Sequence, residues 1–393
     1  MRVLVTSTPG TGHVNPVLPL AGELRRAGHE LLWAIAGDGV EEVRRHGYDV
    51  VVAGMNLDER RATLEPHFPE IFDRPPRLRR GHLFTGFFAR AAAPKMVREL
   101  VPVFDRFRPD VVLHEIGELG AAPHAVARGI PHATVAFSGG LPDHAIPMIE
   151  EALVPVWAYL RLAAPSMSEA FGEMYFHPFP RSMGQTAAIA QVHEMRPIDV
   201  AHVQSDIPEW ITSFARERPG IYVTAGTTPI VATLAPWRPT FEALGGLDAD
   251  VLATIGPRFP VEELGPLPPN VRVERFVPQA LVLNRVATVV SHAGAGTMLA
   301  AAREAVPQLV IPTWADQWEN ADAIVRSGSG ILLEEHERDT GTILEAVQRL
   351  MHDESLRAAA RRVATEISEM PSPSDHVTAL ERLALDRGRR SGL

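Results

Sequence analysis

The sequence predicts an α/β protein of two Rossmann-like domains facing each other across a cleft, and three observations predict it. Short β-rich apolar runs alternate with longer helical patterns, the mark of strand–helix–strand units stacked on a parallel sheet. That rhythm runs through the first half of the chain and restarts after a proline-punctuated stretch. The 393 residues are too many for one ordinary core and suit two domains of middling size.

In the first half, Val3–Thr6, Leu31–Ile35, Val50–Val52, Val111–Leu113 and Ala133–Phe137 read as buried strands. Pro16 to Ala27 reads as a helix, with prolines confined to its first turn and Gly28 just past its end. Residues Asn56 to Arg106 look irregular, with Pro66, Pro69, Pro75 and Pro76 among many phenylalanines, and are expected to be loop-and-helix insertions. Residues 193–220 lose helical period around Pro197, Pro208 and Pro219. The expected division is a first domain over 1–200, a linker over 201–219, a second domain over 220–371 and a terminal segment over 372–393. In the second domain the strands are Ile221–Ala225, Val251–Ile255, Val271–Val273, Thr288–Ser291 and Gln308–Pro312. A last amphipathic helix, from about Ser374 to Asp386, follows the Pro371–Ser372–Pro373 break.

Composition narrows the chemistry. A hydrophobic content of 46% and charged content of 22% are those of a soluble globular protein. No run approaches the ~20 apolar residues of a membrane span, and Met1–Thr6 is too short for a signal-peptide core. The chain has no cysteine, which excludes disulfides and thiolate chemistry and makes the cytoplasm the default compartment. A net charge of −10 argues against a nucleic-acid partner. Of the 38 basic residues all but Lys95 are arginine, so no GxxxxGK[ST] loop is available. Phosphate must be held by backbone amides, hydroxyls, histidine or arginine.

Open parallel sheets bind ligands beyond the carboxyl ends of their strands, so the turns after the strands are where function is sought. The first such turn, Gly10–Thr11–Gly12–His13–Val14–Asn15–Pro16, lets a backbone turn tightly and a ligand approach. It does not complete the dinucleotide fingerprint, and His13 taken alone is as well explained by a helix-start histidine. As a general base, its imidazole titrates in the right range. The second constellation is the strand Asp110–Val111–Val112–Leu113–His114–Glu115, whose end can approach the first turn. Glu115 can then accept a hydrogen bond from the far nitrogen of His13 and support an imidazolium, while nearby Glu118 reads as a solvated loop acid.

The third constellation, Ser291–His292–Ala293–Gly294–Ala295–Gly296–Thr297, opens a helix after a strand. Its small residues present amide N–H groups where the helix dipole favours an anion, and His292 and Thr297 add side-chain donors. The turn Gly226–Thr227–Thr228 can offer hydroxyls from the opposite wall. The fourth, Pro312 to Ala321, sets Asp316 and Gln317 among Trp314 and Trp318. It suits sugar hydroxyls, and it also suits an ordinary helix start capped by Asp316.

These constellations in this order resemble the family 1 glycosyltransferases of GT-B fold. Phe276–Val277–Pro278–Gln279, His292 to Thr297, Pro307–Gln308 and Ala315–Asp316–Gln317 through Asn320–Ala321 look like that family's nucleotide-sugar signature. Gly12–His13 with Asn15–Pro16, and Pro109–Asp110 through Glu115, look like its bacterial natural-product branch, including the calicheamicin glycosyltransferases. The resemblance implies Phe276 against the base, with Val277 offering backbone hydrogen bonds. It implies His292, Gly294, Gly296 and Thr297 on the diphosphate, Asp316 and Gln317 on the donor sugar, and His13 deprotonating the acceptor. It also implies a final helix that crosses back to the first domain. The signature loop here has Ala293 where the branch usually has glycine, and Glu115 stands where aspartate is common. Members using uridine donors often carry glutamate at the position of Ala300, so alanine favours a dTDP-sugar.

The expected reaction is an inverting transfer of a sugar from dTDP-sugar to a hydroxyl of a hydrophobic natural-product aglycone. No metal and no cofactor beyond the nucleotide-sugar co-substrate are expected. The acceptor is expected in the first domain, with Phe84, Phe88 and Trp157 among the aromatics of its pocket. A homodimer is one open assembly state. A nucleotide-sugar epimerase on the same fold and a non-catalytic glycosyltransferase auxiliary are the alternatives.

Overall fold

The computed structural model describes residues 1–184, 191–198 and 208–390. The chain forms two compact units: Met1–Pro178, Gln185–Ile198 and Met370–Leu393 make the first, and Phe179–Gly184 with Asp199–Glu369 make the second. Of the linker expected over 201–219, residues 201–207 lie outside the described residues, and the rest carries a short helix, Glu209–Ser213.

Among the described residues, unit 1 is built on seven strands: β1 (Arg2–Thr6), β2 (Glu30–Ile35), β3 (Asp49–Val52), β4 (Val111–Glu115), β5 (His132–Val135), β6 (Met174–His177) and β7 (Val192–Glu194). They lie parallel in the order β3-β2-β1-β4-β5-β6-β7. The strand order reverses between β1 and β4, the place where such sheets open to a ligand. Pairing of Thr6 with His114 sets Glu115 beside the first residues of the turn after β1. Burial on both faces explains the apolar runs: Leu4, Ala34 and Val112 pack with Met96, Leu100 and Phe104.

The Asn56–Arg106 segment, expected as loop-and-helix insertions, is more regular than its prolines suggest. It is helical almost throughout, over Leu57–Leu64, Phe68–Phe72, Pro76–Phe84, Ala93–Glu99 and Val101–Phe107, with a π-helical stretch at Thr85–Ala92. Pro69, Pro76, Pro94 and Pro102 each occupy the first turn of a helix, where a missing N–H costs nothing. The terminal helix, Val377–Arg390, belongs to unit 1, and Glu381 meets His29 Nε2 at 3.0 Å.

Among the described residues, unit 2 holds six parallel strands: β8 (Gly220–Thr224), β9 (Asp250–Thr254), β10 (Val271–Glu274), β11 (Val286–Ser291), β12 (Gln308–Val310) and β13 (Gly330–Leu332). Their order is β10-β9-β8-β11-β12-β13, so the reversal falls between β8 and β11. Ile221, Val223, Val251, Ala253, Val290 and Leu309 form its core with Trp237, Phe241 and Ile343 from the covering helices. No helix among the described residues is long and apolar enough to cross a membrane.

Candidate active site

In unit 1 the turn after β1 leads into a one-turn helix, Thr11–Val14, whose His13 N–H donates to the Gly10 carbonyl at 2.9 Å. His13 Nδ1 lies 2.8 Å from Glu115 Oε1. The same oxygen accepts the Gly117 N–H at 2.8 Å, while Glu115 Oε2 is buried without a partner. A carboxylate only accepts, so the imidazole hydrogen is assigned to Nδ1 and Nε2 is left as the basic nitrogen. Phe88 and Phe137 turn edges or faces to the ring, with centroids 5.5 and 4.8 Å away, so the imidazole stands in an apolar collar.

Glu118 is not a solvated loop acid. It is 2% exposed, accepts from Thr6 Oγ1 at 2.5 Å and from the Gly120 N–H at 2.6 Å, and burial pushes its carboxyl up to about 7, with the Glu115 charge adding to the rise. Both acids at this strand end, Glu115 and Glu118, are thus buried.

In unit 2 the register of Ser291 with Thr224 brings the turns after β11 and β8 together. His292 Nδ1 donates to the Thr224 carbonyl at 3.4 Å. Its ring lies between two glycines: a Cβ on Gly226 would stand 2.8 Å from Cε1, and one on Gly294 would overlap Nε2. Burial holds this imidazole below the usual histidine range, opposed by the Thr224 carbonyl and Asp316. Gly294 is the residue before the helix Ala295–Arg303, whose first-turn amides have no partner within the helix. A Cβ on Gly296 would meet nothing within 4 Å, so packing within the protein does not require that glycine. Thr297 is buried and accepts from Gln279 Nε2 at 2.8 Å. Ala293 adopts φ +63°, the left-handed region that favours glycine.

Asp316 stands at the cap position of the helix Gln317–Ser327 but makes no side-chain cap bond. Instead its Oδ2 accepts from Asn320 Nδ2 at 2.9 Å, and the same amide reaches the Ala293 carbonyl at 2.9 Å. Asn320 thus joins the Asp316 turn to the His292 turn. Phe276 is 65% exposed, offering a bare aromatic face, while Val277 is buried in the core beneath. Thr227 is exposed at the turn after β8.

The family model described as Erythromycin biosynthesis protein CIII-like, C-terminal domain, matches residues 238–383. The elloramycin glycosyltransferase ElmGT of Streptomyces olivaceus is 33% identical over 399 residues, covering 95% of either chain. The chain belongs to the GT-B glycosyltransferases of the bacterial natural-product branch. Among solved structures, the glycosyltransferase SnogD from Streptomyces nogalater matches with a TM-score of 0.76 at 27% identity, covering 98% of this chain and 99% of its own. The glycosyltransferase VinC in complex with dTDP matches at 0.79 and 25% identity, covering 98% and 100%.

Within this glycosyltransferase, the expected donor residues His292, Gly294, Gly296, Thr297 and Asp316 come together on adjoining turns of unit 2. Gln317 does not join them freely. It is 4% exposed, and its Oε1 already accepts the Thr313 and Trp314 N–H groups at 2.7 and 2.9 Å, so that oxygen shapes the turn. Of the three expected acceptor aromatics, Phe84 and Trp157 are core residues, 3% and 2% exposed, and only Phe88 keeps surface beside His13. Phe84 and Trp157 both belong to the buried cluster that holds Ile149, Leu153 and Tyr175, which composition cannot foretell. Phe137 is a site residue that the sequence reading does not single out, although it follows a strand and the rule of searching strand-following turns finds it. Arg60, buried within electrostatic reach of Glu115, carries no local sequence signal.

Proposed function

We propose that this glycosyltransferase moves a sugar from dTDP-sugar to a hydroxyl of a hydrophobic aglycone, with inversion at the anomeric carbon. The observation that carries the reading is the 2.8 Å pair of His13 and Glu115, which leaves Nε2 as a base inside an aromatic collar. His13 Nε2 takes the acceptor proton as the hydroxyl oxygen forms its bond to the anomeric carbon. The bond from that carbon to the diphosphate oxygen breaks, and dTDP leaves with the electron pair. Glu115 steadies the imidazolium as it forms, and the amides before and within the first turn of Ala295–Arg303 receive the growing charge on the diphosphate. One displacement inverts the centre.

Ala300 supports the choice of nucleotide, because a methyl side chain gives no acceptor for a ribose 2′-hydroxyl. The solved complex of VinC with dTDP points the same way. Phe88 and Phe137 support an apolar acceptor. The chemistry as drawn uses no metal. The test is turnover of an α-configured dTDP-sugar with a polyketide aglycone, followed by NMR of the product's anomeric proton. A β-linked product is expected; a retained α-linkage overturns the single-displacement reading.

A further inference from the structure

Among its described side chains, the helix Leu57–Leu64 buries no apolar residue. Of them Arg60 alone is buried, at 3% exposure, while Leu57 and its other described neighbours are exposed. The helix is held by polar ties: the Leu57 N–H donates to Asp38 at 2.8 Å, Glu59 pairs with Lys95 at 2.9 Å, and Arg60 Nη2 donates to the Pro9 carbonyl at 3.3 Å. Pro9 directly precedes the turn that carries His13.

Burying a guanidinium is costly unless charge and hydrogen bonds compensate it. Here the hydrogen bonding is sparse, since Arg60 Nε is buried without a partner. What compensates is charge: burial works against the guanidinium, and Glu115 and Asp38 lie near enough to favour it. Glu115 in turn has a buried oxygen with no hydrogen-bond partner. The two deficits sit in the same neighbourhood.

We infer that Arg60 is a positioning residue of the transfer reaction, fixing the Pro9–His13 turn and supplying the positive charge that keeps the Glu115–His13 pair in its proton-accepting form. The inference rests on the reading of His13 as the base. Among the described residues, Arg60 and Glu118 after β4 act on Glu115, Glu42 on the helix Val40–Arg45 acts on His13, and Asp38 after β2 acts on Arg60 itself. Arg60 is the cation among these four. With it removed, the pair holds its last proton more tightly, so transfer needs a higher pH.

The experiment is the pH profile of kcat/KM for Arg60→Met, Arg60→Lys, Lys95→Met and His13→Ala, with dTDP affinity measured for each. Arg60→Met is expected to lower kcat roughly tenfold or more and to move the acid limb up by about half a pH unit or more, with dTDP affinity unchanged. Arg60→Lys, which keeps the charge, should hold the limb at its wild-type position. Lys95→Met loosens the helix while leaving the Arg60 charge, so it should leave the limb in place whatever it does to kcat. The inference is overturned if Arg60→Met leaves the limb unmoved, or if Lys95→Met moves it equally. Should Arg60→Met not fold, Arg60→Lys decides alone: a shifted limb there overturns the inference and an unshifted one supports it. Wild-type turnover in His13→Ala would instead overturn the base assignment itself, which separates the two failures.

Discussion

Glu115 reaches His13 from directly behind, 2.8 Å from Nδ1, because Thr6 and His114 are register partners on adjacent parallel strands. Strand order alone brings a residue from the fourth strand to one in the first turn, 102 positions earlier in the chain. The imidazole is thereby oriented by the sheet rather than by its own short helix.

His13→Ala should reduce transfer by about 10²–10⁴-fold, the usual contribution of a positioned general base, with dTDP affinity near wild type. Glu115→Gln should lose a comparable amount, since an amide neither fixes the same tautomer nor supports an imidazolium. Steady-state kinetics with calorimetric titration of dTDP checks both. Nucleotide binding that fell in step with turnover would move His13 to the donor side.

Gly294→Ala and Gly296→Ala should behave differently, although two residues apart. A methyl at 294 overlaps the His292 ring, so that variant should lose thermal stability and at least roughly tenfold in dTDP affinity. A methyl at 296 meets open space and replaces glycine inside a helix, so stability should hold or rise by about 0.5–1 kcal/mol. Weaker dTDP binding in a fully stable Gly296→Ala would show that the space at 296 is reserved for the nucleotide. Melting curves with and without dTDP separate the cases.

Glu118 predicts a pH dependence of stability. Its folded carboxyl titrates near 7 against an ordinary value of 4.5, so the folded state binds the proton more tightly than the unfolded one. Stability from this group is present below pH 4.5 and is lost as pH rises through about 7, by an amount on the order of 3 kcal/mol. Glu118→Gln should therefore melt at a more constant temperature than wild type between pH 5 and about 8. His114 and His132, lowered by burial to about 3 and about 4, act with the opposite sign below pH 6.5 and leave the alkaline side to Glu118. Parallel melting profiles for the two proteins across that range would sink the assignment.

The turns after β1 and β11 were legible as candidate sites because they carry glycine, histidine and threonine after continuous apolar runs. Strands β6, β7 and β13 were not legible as strands. Each is three or four residues long, and Gly330–Leu332 follows a Ser–Gly–Ser stretch, so pairing with Gln308–Val310 makes the strand rather than local preference. Residues 56–106 misled because a proline reads as a breaker until its place in a helix's first turn is known. The pairing partner of His13 could be named from strand order. The burial of Glu118, Trp157 and Phe84 could not, since it depends on which way a turn or helix face points.

The return of Met370–Leu393 to unit 1 bears on how relatives of this enzyme can be recombined. A hybrid made with one crossover would give the unit 1 sheet a foreign terminal helix, and the contact between His29 and Glu381 would have to be met by chance. At least two exchanges are needed, one between residues 198 and 208 and another near 370, so that Asp199–Glu369 travels as an insert within its host. Carrying Phe179–Gly184 along, which the donation from Arg326 Nη1 to the Met183 carbonyl at 2.6 Å favours, takes two further exchanges, because Gln185–Ile198 belongs to unit 1. In modular terms, the first and last segments of this chain are inherited together.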